Sequence, residues 1–125
     1  MTHGKKITLH LVEGIPTGVI KGHIGNWVGR ITYAPRTKMD YLAADPDVQG
    51  PGVYVLAGPH PENYEVTIVY IGQSDTVFKR LKQHEQDPEK DYFDSVAVIT
   101  SSDDTLTKGT IIYLESRLIK IARET

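Results

Sequence analysis

Residues 52–88 read GVYVLAGPHPENYEVTIVYIGQSDTVFKRLKQHEQDP, and the succession of patterns in this stretch decides the fold. Val53 to Ala57 is a run of strand-forming residues. Gly58, Pro59, Pro61 and Asn63 then predict a loop. Val66 to Ile71 predicts a second strand, with Ile68 and Tyr70 on one face and Val69 and Ile71 on the other. Asp75 stands where a helix cap belongs, and the spacing predicts a helix from Thr76 to Gln86, closed by Asp87-Pro88. Downstream, Val96 to Thr100 is a third β run, Ser101 to Asp104 a polar turn, and Leu106 to Arg123 a long helix. The order is therefore strand, strand, helix, strand, helix, an α+β pattern.

Upstream, Gly50-Pro51-Gly52 marks a boundary. Before it, Ile7 to Val12, Val19 to Ile24 and Trp27 to Tyr33 read as strands. Turns are expected at Gly14 to Gly18 and at Gly25-Asn26, the latter a hairpin signal. Arg36 to Ala44 predicts a short helix ended by Asp45-Pro46. Two segments follow: an N-terminal β extension, 1–48, and a compact unit, 49–125.

A chain of 125 residues fits one domain with a real core. No stretch is long and apolar enough to cross a membrane, and the first residues carry no signal-peptide pattern. The absence of cysteine excludes disulfides, thiolate metal sites and cysteine nucleophiles, and a cytoplasmic location is expected. Net charge is −2, which by itself argues against a nucleic-acid binder. The charges are unevenly spread. Residues 1–45 hold six basic against three acidic groups, and Lys79, Arg80, Lys82 and His84 cluster on one predicted helix. From charge alone this cluster reads as a solvated helix face.

The last helix carries an anomaly. At about 100° per residue, Ile111, Leu114, Leu118, Ile121 and Ala122 form an apolar arc widened by Ile112 and Ile119, and Glu115 sits near its middle. An ionised carboxylate buried without a partner costs several kcal/mol. Glu115 is then protonated, paired with a cation from another element such as Arg80, or open to a cleft where it holds a metal. On the preceding helix, Val77, Phe78 and Leu81 face the core, and Arg80 and His84, four residues apart, project together along its edge. An arginine fork beside an imidazole suits a phosphate ester. His3, His10, His23 and His60 have no such surroundings and read as surface residues. Tyr54 and Tyr70, taken singly, read as half-buried core residues with hydroxyls at the edge.

Taken together, these residues resemble the GIY-YIG nucleases. Gly52-Val53-Tyr54 looks like the first signature of that family and Tyr70-Ile71-Gly72 matches the second. Arg80 stands where the family arginine follows on the first helix, His84 where some members carry a histidine one turn later, and Glu115 where the metal-binding glutamate lies. The resemblance covers residues 50–123. It implies a small antiparallel sheet of three strands flanked by helices, with the N-terminal segment as an added β element, packed on the sheet edge or gripping substrate through its basic residues. It also implies a metal-dependent endonuclease that hydrolyses DNA phosphodiester bonds. Glu115 would bind Mg²⁺ or Mn²⁺, Arg80 would clamp the phosphate, and Tyr70, Tyr54 or His84 would handle the proton of the attacking water. Lys79, Lys82, Gln73 and Arg36 are candidate nucleic-acid contacts. Two departures stand out: Gln73 replaces a lysine common in the family, and the sequence ends before a further family asparagine, which implies a domain cut short at its C-terminus. The alternative from another class is a catalytically weak or inactive binding module that keeps the fold.

Overall fold

The computed structural model describes residues 7–15, 17–24, 29–101, 115–121 and 123. The Gly25-Asn26 turn, His3 and residues 102–114, which include the start of the predicted last helix, lie outside the described residues.

Among the described residues, six strands form one sheet: β1 (Ile7–Leu11), β2 (Ile20–Ile24), β3 (Gly29–Pro35), β4 (Gly52–His60), β5 (Asn63–Ser74) and β6 (Ser95–Ser101). Their order is β1-β2-β3-β6-β4-β5, and every pairing is antiparallel. This overturns the expected three-stranded sheet, while the α+β class stands. The physical reason lies in β6. Val96, Ala97, Val98 and Ile99 make it apolar on both faces, and pairing with β4 alone would leave its other edge open. β3 closes that edge in register from Gly29↔Ser101 to Pro35↔Ser95. The N-terminal strands thus continue the sheet through β6.

The β4–β5 hairpin is also longer than the Gly and Pro signals suggest. Gly58 and Pro59 lie inside β4, paired with Ile68 and Thr67, and the register shifts only between Pro59 and His60. Gly58 is needed because the chain at Tyr92 and Phe93 crosses directly over it, where a Cβ would collide with the Tyr92 carbonyl. The crossing is fixed by the Asp94 amide donating to the Ala57 carbonyl at 2.9 Å.

Helical segments between residues 36 and 90 cover one face of the sheet. Arg36–Lys38 forms one turn of 3-10 helix leading into α1 (Met39–Ala44), and Pro46–Val48 forms another. α2 spans Val77–Glu85 and is followed by a 3-10 turn at Pro88–Lys90. Residues 115–121 are helical. Alternation along β6 sends Val96 and Val98 to the covered face, where they join Tyr54 and Leu56 of β4 and Ala34 of β3. Met39, Leu42, Val48, Val77, Leu81 and Phe93 pack on them from the helical layer. Asp75 does not cap α2: Thr76 occupies the cap position, its amide donates to Ser74 Oγ, and the Val77 amide donates to the Gly50 carbonyl.

Two polar clamps hold the layers together. Lys21 pairs with Asp45 and Asp47, each at 2.6 Å, and Arg30 pairs with Asp47 at 2.9 Å. These pairs tie the turn at Pro46–Val48 to β2 and β3. Arg36 donates to the carbonyls of Glu85 (2.8 Å), Phe93 (3.1 Å), Asp91 (3.3 Å) and Lys90 (3.4 Å), with its guanidinium 4.1 Å from the Phe93 ring centroid. Among the described residues, no helix is long and apolar enough to cross a membrane.

Candidate active site

The site forms where β4, β5 and α2 meet. Tyr54 and Tyr70 point to the same face because their register partners, Gly72 for Tyr54 and Leu56 for Tyr70, lie two residues apart on each strand. Gly72 gives the Tyr54 ring its room: a Cβ there would collide with the phenol oxygen and the ring. The glycine of the second signature thus has a steric reason, since the aromatic side chain of one strand lies across the bare backbone of the next.

His84 enters from α2. The Val77, Leu81 and His84 side of that helix is buried, and His84 keeps only 5% of its surface exposed. Its Nε2 lies 2.9 Å from the Tyr54 hydroxyl, a buried hydrogen bond. The two tautomers of a neutral imidazole give this bond opposite directions. The Tyr70 ring centroid is 5.0 Å from that of His84 and 6.4 Å from that of Tyr54, whose plane it meets at 25°. The three rings thus pack as one cluster with polar atoms at its edge.

Electrostatics set the resting protonation of this cluster. Burial pushes the Tyr54 phenol above its ordinary range, and nearby Tyr70 and Glu115 add to the rise, while the Arg80 guanidinium opposes it. Burial holds the His84 imidazole below its ordinary value; Arg80 and Lys90 add to that, and Asp87 works against it. Phenol and imidazole are therefore both uncharged at neutral pH. Burial, with Tyr70 nearby, also raises the phenol of Tyr92.

Arg80 is exposed and donates to Gln83 Oε1 at 2.8 Å. Glu115 is half-buried at the start of the described helical stretch, close enough to act on Tyr54. Among the described residues Arg80 and Glu115 form no ion pair. Leu118 and Ile119 share the half-buried side with Glu115, but Ile121 is 47% exposed and leaves the expected apolar arc. A groove of about 680 Å³ runs beside the cluster, lined by Val66, Thr67, Val69, Tyr70, Ile71, Ile119 and Arg123.

The structure thus brings Tyr54, Tyr70 and His84 into contact and sets Arg80 and Glu115 within electrostatic reach of Tyr54. The candidate nucleic-acid contacts divide. Lys79 is exposed on α2, Lys82 is paired with Glu85 at 2.9 Å, and Gln73 is half-buried in β5. Arg36 is occupied by the carbonyls of residues 85–93 and belongs to the scaffold. His10 and His23 are exposed, His60 is half-exposed at the hairpin end. Two residues went unnoticed in the sequence. Lys90 places its ammonium 4.6 Å from the Tyr70 ring centroid, and Tyr92 stands near Tyr70. Both follow the Asp87-Pro88 stop, and only the reversal of the chain there carries them back to the site.

Among the described residues, no three His, Asp or Glu side chains gather as a metal-binding group. A hard divalent cation can nevertheless be held by one carboxylate with water and substrate phosphate completing its shell. The half-buried Glu115 beside a phenol fits that pattern. Comparison with protein-family models, with curated proteins and with solved structures finds no match for this chain.

Proposed function

We propose that the protein is a divalent-metal-dependent endonuclease that hydrolyses DNA phosphodiester bonds at the Tyr54–Tyr70–His84 cluster. The observation that carries this reading is the buried hydrogen bond between Tyr54 and His84, with a guanidinium and a carboxylate acting on the same phenol from two separate helical stretches. A fixed phenol–imidazole pair with a cation and an acid beside it suits phosphoryl chemistry and has little purpose in packing alone.

In the proposed reaction, Arg80 clamps the scissile phosphate and offsets the charge that builds on its oxygens. A water molecule attacks phosphorus. Its proton passes to the Tyr54 oxygen as the Tyr54 proton moves to Nε2 of the neutral His84; the bond from phosphorus to the leaving oxygen breaks, that oxygen takes a proton from solvent, and His84 returns its proton to solvent. Tyr70 packs against the imidazole and fixes its orientation. Glu115 would hold Mg²⁺ or Mn²⁺, which supplies Lewis-acid stabilisation of the phosphate when bound. In this reading Lys79, on α2, contacts the nucleic-acid backbone.

The test is nicking of supercoiled plasmid with Mg²⁺ or Mn²⁺. Glu115→Ala and Arg80→Ala are each expected to lower the rate by about 10²-fold or more with the circular dichroism spectrum unchanged. Nicking at the wild-type rate in either variant would reject the scheme.

One observation favours a second reading, a non-catalytic nucleic-acid-binding or regulatory module. Net charge is −2, and Lys21, Arg30, Lys38 and Lys82 are all paired with carboxylates. Those four cations are committed to carboxylates and are less available for backbone contacts. Duplex binding without metal-dependent cleavage would select this reading.

A further inference from the structure

Lys90 stands in the site although no motif led to it. Its ammonium lies 4.6 Å from the Tyr70 ring centroid, within the range at which a cation is held by the negative face of an aromatic ring. The same Tyr70 ring has its centroid 5.0 Å from that of His84. The sequence cation–phenol–imidazole is therefore continuous in space, and it ends on the hydrogen bond to Tyr54.

The position of Lys90 is built by its surroundings. Asp87 caps the turn by accepting from the Glu89 amide at 3.0 Å, and the Lys90 amide donates to the Asp87 carbonyl at 3.0 Å. On its other side the Lys90 carbonyl accepts from Arg36, whose guanidinium also grips the carbonyls of Glu85 and Phe93. The backbone carrying the lysine is thus fixed at both ends, leaving only the side chain to choose a direction, and it lies on Tyr70.

We propose that Lys90 is a positioning residue of the active site: its ammonium holds the Tyr70 ring against His84, so that the imidazole meets Tyr54 in one fixed orientation. Its catalytic consequence rests on the nuclease reading above; its geometric part does not. The groups that face His84 are Tyr54 from β4, Tyr70 from β5, Arg80 on α2, and Asp87 and Lys90 from the segment after α2. Three of them act on its charge, and among the described residues Lys90 is one of the two cations that disfavour the imidazolium.

The experiment replaces Lys90 with methionine, which keeps the aliphatic stem and removes the charge, and with arginine, which restores a cation. Lys90→Gln is a second neutral variant should the methionine protein fail to fold. In the metal-free protein of 125 residues, NMR of the ring protons reports Tyr70 shifts and the His84 titration midpoint. In plasmid nicking, kcat and KM are read separately. The neutral variants are expected to move the Tyr70 resonances, raise the His84 midpoint and lower kcat about tenfold with a smaller change in KM. Lys90→Arg is expected to recover most of each effect. Unmoved Tyr70 shifts and an unmoved His84 midpoint in a folded neutral variant would overturn the proposal. Because the NMR measurement needs no substrate, an inactive wild-type protein would sink the nuclease reading and leave this inference to be decided on the ring signals alone.

Discussion

A methyl group added to Gly72 would collide with the phenol of Tyr54, so this position tests whether the cluster is one unit. Gly72→Ala must push the ring out of its place and stretch the 2.9 Å bond to His84. The expected cost is about 1–3 kcal/mol of stability, read as a lower urea midpoint, together with a loss of the proposed cleavage activity larger than destabilisation explains. His84 makes a second prediction at this scale. Its folded pKa lies below the ordinary 6.5, so between the two values the unfolded chain binds the proton more readily than the native protein. Stability from this group is therefore complete above pH 6.5 and declines as pH falls through that window to the folded value. His84→Gln is expected to flatten that part of the stability curve measured by urea titration from pH 7 to pH 5. A slope equal to that of the wild type would show that other groups cause it.

At the scale of elements, Arg36 joins what the sequence separates. It follows β3, yet its guanidinium clasps four carbonyls of residues 85–93. Arg36→Met keeps the stem over Phe93 but frees those carbonyls, with an expected loss of about 2 kcal/mol in urea denaturation and faster amide exchange in the segment at 85–93. Such long-range contacts explain what was legible beforehand and what was not. The strands at Val53, Val66 and Val96 and the helix before Asp87-Pro88 were readable because alternation and helical spacing are local. The lengths of β4 and β5 were not: Gly58 and Pro59 read as loop, while in the sheet Gly58 is bare so that Tyr92 and Phe93 can cross it. Asp75 has the chemistry of a cap, but the Gly50 carbonyl takes the Val77 amide instead. In the site, His84 was readable from its spacing to Arg80, and Tyr54 and Tyr70 from the family resemblance. Lys90 was not, because only the Asp87 cap and the Arg36 clasp turn it back toward Tyr70.

For the molecule as a whole, the decisive fact is that β6, the last strand in sequence among the described residues, lies inside the sheet between β3 and β4. Neither the β1–β3 meander nor the β4–β5 hairpin can complete its hydrogen bonding until residues 95–101 arrive. Both halves also share one apolar layer, in which Ala34, Met39, Leu42 and Val48 pack with Tyr54, Leu56, Val96 and Val98. Loss of residues 29–48 would therefore expose an edge of β6 and strip Ala34, Met39, Leu42 and Val48 from that layer at once. Cooperative unfolding is the expected consequence, because no boundary in the sheet divides the buried surface into two self-sufficient parts. Native-state hydrogen exchange provides the measurement. The β3 amides bonded to β6 and the β4 amides bonded to β5 should share one opening free energy and respond to urea with the same slope. Val98→Ala, which removes buried methyl groups at the joint, should lower both sets together by about 1–3 kcal/mol. If the substitution weakened protection in β4 and left β3 untouched, the strands from β1 to β3 would be a separable unit, and the sheet a joining of two folding domains.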